Sequence, residues 1–438
     1  MITNENVFST DGTAIMATTG IYAQISDGDI TNGFRSLNLN PSLYVDELNL
    51  RLDATSSMNS YFINNLSATV YGGEYWSNYY YWIYRCNDII SEINTAKSLS
   101  ANVKKELLGE ATFMRALFYY YLVNFYGNTC FVTSTDYTIN NTIPRIDATT
   151  LLQGLVNDLL NAQNNLSDTF LDGSLATTTQ NRYRPNKYAA SMLLTKIYLQ
   201  IGKWDLAETQ ATTIINNNSL FQMSNVNNTF SVNNQEAIWQ LQSVSSTVTT
   251  AEGLFYSWPD STYSSAHPCT ISKYLLSAFE PKDLRRSNWV NTISNGNDTF
   301  YIPFKYKVFQ PEGSPSEALT IFRLADAYLC RAEARAQLSK LTDAISDINV
   351  IRTRAGLDSL VGLNQQQCLD AILHERQVEF FTEFGSRFID LKRFNKLNEV
   401  MTVVAPAKGG VWKPEKALFP LPAQDLSRNV KLTQNTGY

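Results

Sequence analysis

Twice along this chain, two apolar stripes of helical period follow one another across a break of only two residues. In the first instance Ala190, Leu194, Ile197 and Ile201 share one face, Gly202-Lys203 interrupts, and Trp204, Ala207, Ala211 and Ile214 resume the period. In the second, Ile321, Leu324, Ala325, Tyr328, Leu329 and Ala332 precede a break at Ser339-Lys340, and Ala344, Ile348, Ile351 and Ala355 follow it. Helices joined by so small a turn are expected to fold back antiparallel. Their alanines let two backbones approach while bulkier neighbours fill the groove beside them. Leu194, Tyr198, Gly202, Ala207 and Ala211 also stand at the spacing of a tetratricopeptide unit, with degenerate Trp and Phe positions.

A helical repeat buries its apolar face only against further helices, and the sequence offers them. Leu107, Ala111, Met114, Phe118, Leu122 and Phe125 step by four and three until Gly127 ends the run, and Pro185 is placed to open the helix that carries Ala190. The spacing predicts four helix pairs: 76–126, 187–217, 320–356, and 148–165 with its neighbours. The expected fold class is mainly all-α, with 76–217 and 320–397 as the helical scaffold of one unit spanning 1–438. Between about Ser219 and Leu319 the pattern gives way to Asn, Ser, Thr, Gly and Pro, with β-like stretches at EAIWQLQSV and FYIPFKYKVF. Phe255, Tyr256, Trp258, Tyr263, Trp289 and Tyr301 in this insertion argue against disorder. The first residues also read as loop-rich, with turns at Asp27-Gly28 and Asn32-Gly33. Long irregular segments in a compact protein are commonly functional, so 1–75 and 219–319 are the expected ligand-binding region.

Composition closes off several classes. Hydrophobic residues make up 44 % of the 438, enough for a sizeable core, and charged ones only 17 %. The formal net charge is −5 with no basic cluster, so no nucleic-acid partner is expected. No run of eighteen apolar residues could span a bilayer. Cys86, Cys130, Cys269, Cys330 and Cys368 are far apart and form neither CxxC pairs nor a disulfide framework. MITNENVFST lacks the basic and apolar regions of a secretory signal. The chain is therefore either cytoplasmic or begins after a removed targeting segment. Aromatics reach 12 %, with seven Trp and twenty-four Tyr, and stacked flat surfaces are one use for rings beyond the core.

Four segments in order carry a family likeness: WSNYYYWIYRCNDIISEI at 76–93, GEATFMRALFYYYLVNFYG at 109–127, HERQVEFFTEFGSRFIDLKRF at 374–394, and the closing stretch from LFPLPAQDLSRN to LTQNTGY at 418–438. Together they resemble the SusD/RagB family over nearly the whole chain. The resemblance implies a right-handed superhelix of four tetratricopeptide-like helix pairs, with a loop-rich, partly β insertion packed against it. It also implies a lipoprotein on the outer face of a bacterial outer membrane, held there only by its lipid anchor, that captures an oligosaccharide for a SusC-like TonB-dependent transporter. No cysteine stands near the start, where the family carries its lipidated one, which places the anchor ahead of Met1 in this reading. Ser386 stands where relatives often have His, at a position that reads as structural.

Catalytic motifs find little support. His374-Glu375 lacks the second histidine of HExxH, since Val378 occupies its place, and the other histidine lies in His267-Pro268-Cys269 with no ligand spacing around it. Phosphate loops, nucleophile elbows and dinucleotide fingerprints are missing from the sequence. Glu375, Glu379 and Glu383 recur every four residues and would stack along one helix face, and a glycosidase needs only two carboxylates. Arg376, Arg387, Asp390 and Arg393 lie close by in sequence, so the expected reading is an ion-pair network neutralised locally. No catalytic residue, metal or cofactor is expected.

Binding residues are sought among aromatics without a periodic partner. Trp76, Trp82 and Trp289 read as packing residues. Tyr71 and Tyr75 flank Gly72-Gly73, and Phe255, Tyr256, Trp258 and Tyr263 crowd the insertion. Aromatic faces suit the weakly positive C–H groups of a pyranose, while Asn78, Asp260 and Asn65 can hydrogen-bond hydroxyls. The expected platform is Trp258 with Tyr256 and Tyr263, approached by Tyr75 from the first-repeat loop, with Tyr71, Asp260 and Asn78 beside them. Three rivals differ in features that a structure can test. A peptide receptor favours a deeper, charge-lined cleft, a glycosidase needs an accessible Glu375 region, and a cytoplasmic repeat scaffold needs a free concave face.

Overall fold

The computed structural model describes residues 7–27, 30–31, 33–51, 55–244, 250–257, 267–294, 298–308, 313 and 315–438. Helices make up 55 % of it and the sheets are few and small, as the mainly α expectation requires. The chain divides into two compact units, one of Met1–Ile25, Leu66–Lys203 and Leu418–Tyr438, the other of Ser26–Asn65 and Trp204–Ala417.

The first unit is built on α1 (Asp11–Ser26), α2 (Glu74–Thr95), α3 (Ala101–Tyr126), α4 (Ala148–Asn165) and α5 (Lys187–Gln200). α2 packs on α3, α3 on α4, and α4 on α5. α3 is buried on almost every side from Leu107 to Tyr126, which its unbroken apolar and aromatic content allows. Gly109 lies inside it because a Cβ there would stand 2.8 Å from Leu166 Cγ. The core is strongly aromatic: Tyr75 stacks on Phe125 at 5.0 Å, and Phe125 on Phe419 at 5.1 Å. Pro185 precedes the helix rather than opening it, because Asn186 is the cap, its side chain accepting from Tyr188 N and Ala189 N.

The second unit holds α6 (Trp204–Ile215), α7 (Leu324–Gln337), α8 (Leu341–Arg354), α9 (Gln365–Glu379), α10 (Ser386–Arg393) and α11 (Leu397–Ala407). α7 is its hub, packed against α6, α8 and α9. Ala332, Ala336, Ala344, Ile348, Cys368 and Ile372 interlock there, all fully buried. The break expected at Ser339-Lys340 is a tight turn with Ser339 at φ 61°. Three antiparallel two-stranded ribbons complete the unit: β1 (Leu48–Leu50) with β3 (Cys269–Ile271), β2 (Ala237–Leu241) with β6 (Leu319–Arg323), and β4 (Val290–Ser294) with β5 (Thr299–Pro303). EAIWQLQSV thus supplies a wholly buried strand, and FYIPFKYKVF is a strand only in its first half.

Two expectations are corrected. The loop-rich start contains α1, a 16-residue helix whose Ala14, Ile15, Ile21, Tyr22 and Ile25 are buried. Its Thr and Gly content hides it, and packing overrides weak propensity. The pair expected at 187–217 is also redistributed. The seam between the two units falls at Lys203/Trp204, so α5 packs on α4 in one unit and α6 on α7 in the other.

Candidate functional site

Of the expected platform, Trp258, Asp260 and Tyr263 lie outside the described residues. Tyr256 closes the short helix Ala251–Tyr256 and is 4 % exposed. Its hydroxyl donates to Asn38 O at 2.8 Å, its ring meets Phe255 edge-on at 5.1 Å, and burial pushes the phenol well above its usual range. In the first unit Tyr75 is 1 % exposed and sits in the first turn of α2, not in the loop before it, stacked on Phe125. Both tyrosines offer packing rather than a free face. Asn65 is exposed, while Tyr71 and Asn78 are half-buried.

The Gly72-Gly73 loop owes its glycines to the closing segment of the chain. A Cβ on Gly72 (φ +108°) would stand 3.0 Å from Pro420, and one on Gly73 would stand 2.7 Å from Pro422. Gly72 O also accepts from the buried Tyr126 hydroxyl at 2.5 Å. Tyr71 therefore borders a packed corner.

Three tyrosines missed by the sequence reading are exposed: Tyr137, which begins the short helix Tyr137–Asn140, and a pair on α2. Tyr81 and Tyr84, 50 % and 46 % accessible, project from α2 on the face opposite Tyr79, Trp82, Ile83 and Cys86. Residues three apart on a helix share a face, so Tyr81 and Tyr84 are presented on one side of α2, together with Asn78 and Arg85. The hydroxyls of Tyr81 and Tyr84 and the Asn78 amide make no hydrogen bond with a described residue. The signal was available, since both fall between the inward positions of the helical period. The run Tyr79-Tyr80-Tyr81-Trp82 concealed it by reading as one block of core aromatics. Such a ledge can stack a sugar ring and hydrogen-bond its hydroxyls.

The carboxylate ladder is buried and fully engaged. Only Glu375 and Glu379 lie on α9. Glu383 follows in a turn where Thr382, Phe384 and Gly385 all have positive φ. Glu375 accepts from Arg285 at 2.9 Å and Arg352 at 2.7 Å. Glu379 accepts from Arg285 at 3.1 Å, from Arg323 at 2.5 Å and from Arg354. Glu383 accepts from Lys305 at 2.5 Å and Arg323 at 2.9 Å. Glu236 completes the cluster with Arg323 and Arg354, each at 3.1 Å.

The network is thus present, but its partners are remote in sequence. The local arginines go elsewhere: Arg376 to Asp326 and Asp390, Arg387 to Asp46, Arg393 to Asp390 and Glu333. Burial acts to raise the Glu379 carboxyl, but Arg354, Arg323 and Arg285 outweigh it and hold the group well below the usual carboxylate range. Lys305 is pushed down to about 8 by burial against the pull of Glu383. With Glu375 and Glu379 at 0 % exposure, no substrate reaches them. Trp289, also fully buried, caps the cluster with Arg354 over its ring at 5.4 Å.

Glu280, His374 and Glu375 are the one group of described residues close enough to share a metal ion. Arg352 already fills that role, with one nitrogen 2.5 Å from Glu280 and 2.7 Å from Glu375. His374 Nε2 lies 2.8 Å from Ala278 O. A cation entering there would meet a guanidinium, so the residues do not fit a metal. Among the described residues no helix is long and apolar enough to cross a membrane.

Comparison with known proteins adds the following. Residues 280–438 match the SusD family, and residues 18–199 match a family described as starch-binding associating with outer membrane. SusD-like protein P25 of Formosa agariphila is 25 % identical in an alignment covering 100 % of this chain and 94 % of that protein. A SusD superfamily protein from Bacteroides vulgatus superposes with a TM-score of 0.83 at 21 % identity, over 98 % of this chain and 99 % of that one. Surface glycan-binding protein A from Bacteroides fluxus gives 0.81 at 22 %, over 98 % and 100 %. The second of these descriptions names binding, and neither names a reaction.

Proposed function

The chain belongs to the SusD/RagB family, and from that premise we propose that it is a surface lipoprotein that binds an oligosaccharide without cleaving it and hands it to a SusC-like TonB-dependent transporter. The observation that carries the binding step is the ledge of Tyr81 and Tyr84, two exposed rings whose hydroxyls, like the nearby Asn78 amide, make no hydrogen bond with a described residue. Sugars bury little apolar area and their hydroxyls must give up water, so binding on such a ledge is shallow and weak. Holding without chemistry is supported by the Glu375–Glu379 pair, whose oxygens are all directed to guanidinium groups inside the protein. Trp258, Tyr263 and Asp260 remain proposed contributors from the insertion. A family described as associating with the outer membrane supports the location.

Isothermal titration against a glycan panel tests this, run beside thermal melts of the same variants. Tyr81→Ala and Tyr84→Ala should each weaken binding about tenfold, the equivalent of ~1–1.5 kcal/mol for one stacked ring, with melting temperatures nearly unchanged. Trp258→Ala should behave alike. Full affinity in all three variants would sink the assignment of the binding surface.

A further inference from the structure

Beside the β1–β3 ribbon of the second unit lies a cavity of about 240 Å³. Its walls come from β1 and the residues leading into it, those leaving β3 and the end of α11. The antiparallel register pairs Leu48 with Ile271, which brings Val45–Asn49 alongside Ser272–Tyr274. Lys408, just past α11, ties the third wall down by donating to Leu43 O at 2.6 Å and Val45 O at 2.7 Å. Val45, Leu48 and Val404 contribute apolar lining, and Asn49, Lys273 and Tyr274 contribute polar lining. Pockets for drug-sized ligands run to ~300–1,000 Å³, so this one suits a single ring rather than a chain.

Its charge is unbalanced. The one carboxylate on the wall, Asp46, is already satisfied by Arg387 Nε and Nη2 at 3.0 and 2.7 Å and by Gln377 at 3.3 Å. Lys408 spends two protons on carbonyls. Lys273, exposed, has no carboxylate partner among the described residues, and its ammonium lies 5.2 Å from the Tyr274 ring centre. Among the described residues the Tyr274 hydroxyl makes no hydrogen bond, and Asn49, whose amide nitrogen donates to Ile271 O at 3.3 Å, has none to its side-chain oxygen.

We propose that this cavity binds one pyranose ring carrying an anionic group, a uronate carboxylate or a sulfate ester, with Lys273 facing the anion and Asn49 and Tyr274 facing the hydroxyls. The proposal rests on the glycan-binding reading and narrows it to chains with acidic units. Because Lys273 is exposed, its contribution is modest and falls with salt.

The full chain is titrated at low and high salt with methyl glucuronoside, methyl glucoside and glucose 6-sulfate, followed by saturation-transfer NMR, with neutral oligosaccharides run in parallel. The glucuronoside should bind up to about fivefold more tightly than the glucoside at low salt. Lys273→Gln should remove that preference, and Tyr274→Ala should weaken every ring. If the sulfate competes equally the pocket reads charge, and if it does not the pocket reads a planar carboxylate; both outcomes support the site. Equal binding of neutral and anionic rings, or an unchanged preference in Lys273→Gln, overturns it. Neutral oligosaccharides binding while no single ring does would overturn this cavity alone, whereas no binding of any glycan would take the general reading down with it.

Discussion

Glu379 shows how much one side chain can carry when it is buried among opposite charges. Arg285, Arg323 and Arg354 all point at it, and its folded pKa lies well below the model-compound value of 4.5. A depressed carboxylate contributes stability that is present above pH 4.5 and lost as pH falls through the folded value. Glu379→Gln leaves guanidinium charge buried without its counterpart, and chemical denaturation at neutral pH should show a loss of about 3–5 kcal/mol. Glu106 in the first unit runs the opposite way. Burial, helped by Glu110, pushes its carboxyl up to about 8 against the Ser167 N–H it accepts. From pH 4.5 to about 8 the folded state keeps a proton that the unfolded chain has lost, so this group makes stability fall as pH rises through that window. Glu106→Gln, which cannot ionise, should flatten that fall, and melting curves across the window check it. A wild-type profile parallel to the variant's would contradict the assignment.

At the scale of elements, close helix approach decides most of the architecture. Ala332 of α7 lies at 0 % exposure among Ala336, Ala344, Ile348, Cys368 and Ile372. Ala332→Trp overpacks this contact and should cost roughly 1–3 kcal/mol or more, whereas Leu206→Trp on the exposed side of α6, at 40 % accessibility, should melt like the parent. The alanine spacing that locates this contact is plain in the sequence, and α3, α7 and α8 were legible for the same reason, while α2, which has no alanine, was legible from its apolar and aromatic residues at helical spacing. α1 was not, because its Thr and Gly carry little helical signal and its burial comes from tertiary contacts. The assignment of α5 and α6 to different units was equally hidden. A two-residue turn fixes chain connectivity, but which neighbour each apolar face chooses depends on α4, the helix before α5, and on α7, far away in sequence. The same limit applies to the carboxylate ladder. Its period was visible, but the five cations that neutralise it come from Arg285, Lys305, Arg323, Arg352 and Arg354, and the sequence gives no sign of that convergence.

Over the whole molecule the two units solve burial differently, and function follows from what each leaves outside. The first fills its core with stacked rings such as Tyr75, Phe125 and Phe419, and other rings, Tyr81, Tyr84 and Tyr137 among them, face solvent. The second buries a cluster of paired charges beside its apolar core, which holds Glu236, Glu375, Glu379 and Glu383 inward. Aromatic content alone signalled ligand stacking, but it could not tell buried Tyr75 from exposed Tyr81, six residues on in the same helix. That distinction needs the helical phase together with the position of α3. A glycosidase must present two carboxylates about 5–9.5 Å apart to a bound sugar. The pair closest to that description in sequence, Glu375 and Glu379, is at 0 % exposure with every charge answered by arginine. Purified protein incubated with oligosaccharides that it binds should therefore return them intact, with no new reducing ends by colorimetric assay or chromatography. Reducing-end release that co-elutes with the folded protein, and disappears in a Glu375→Gln variant with an unchanged circular dichroism spectrum, would show that this helix does chemistry and that the network is an active site in another conformation.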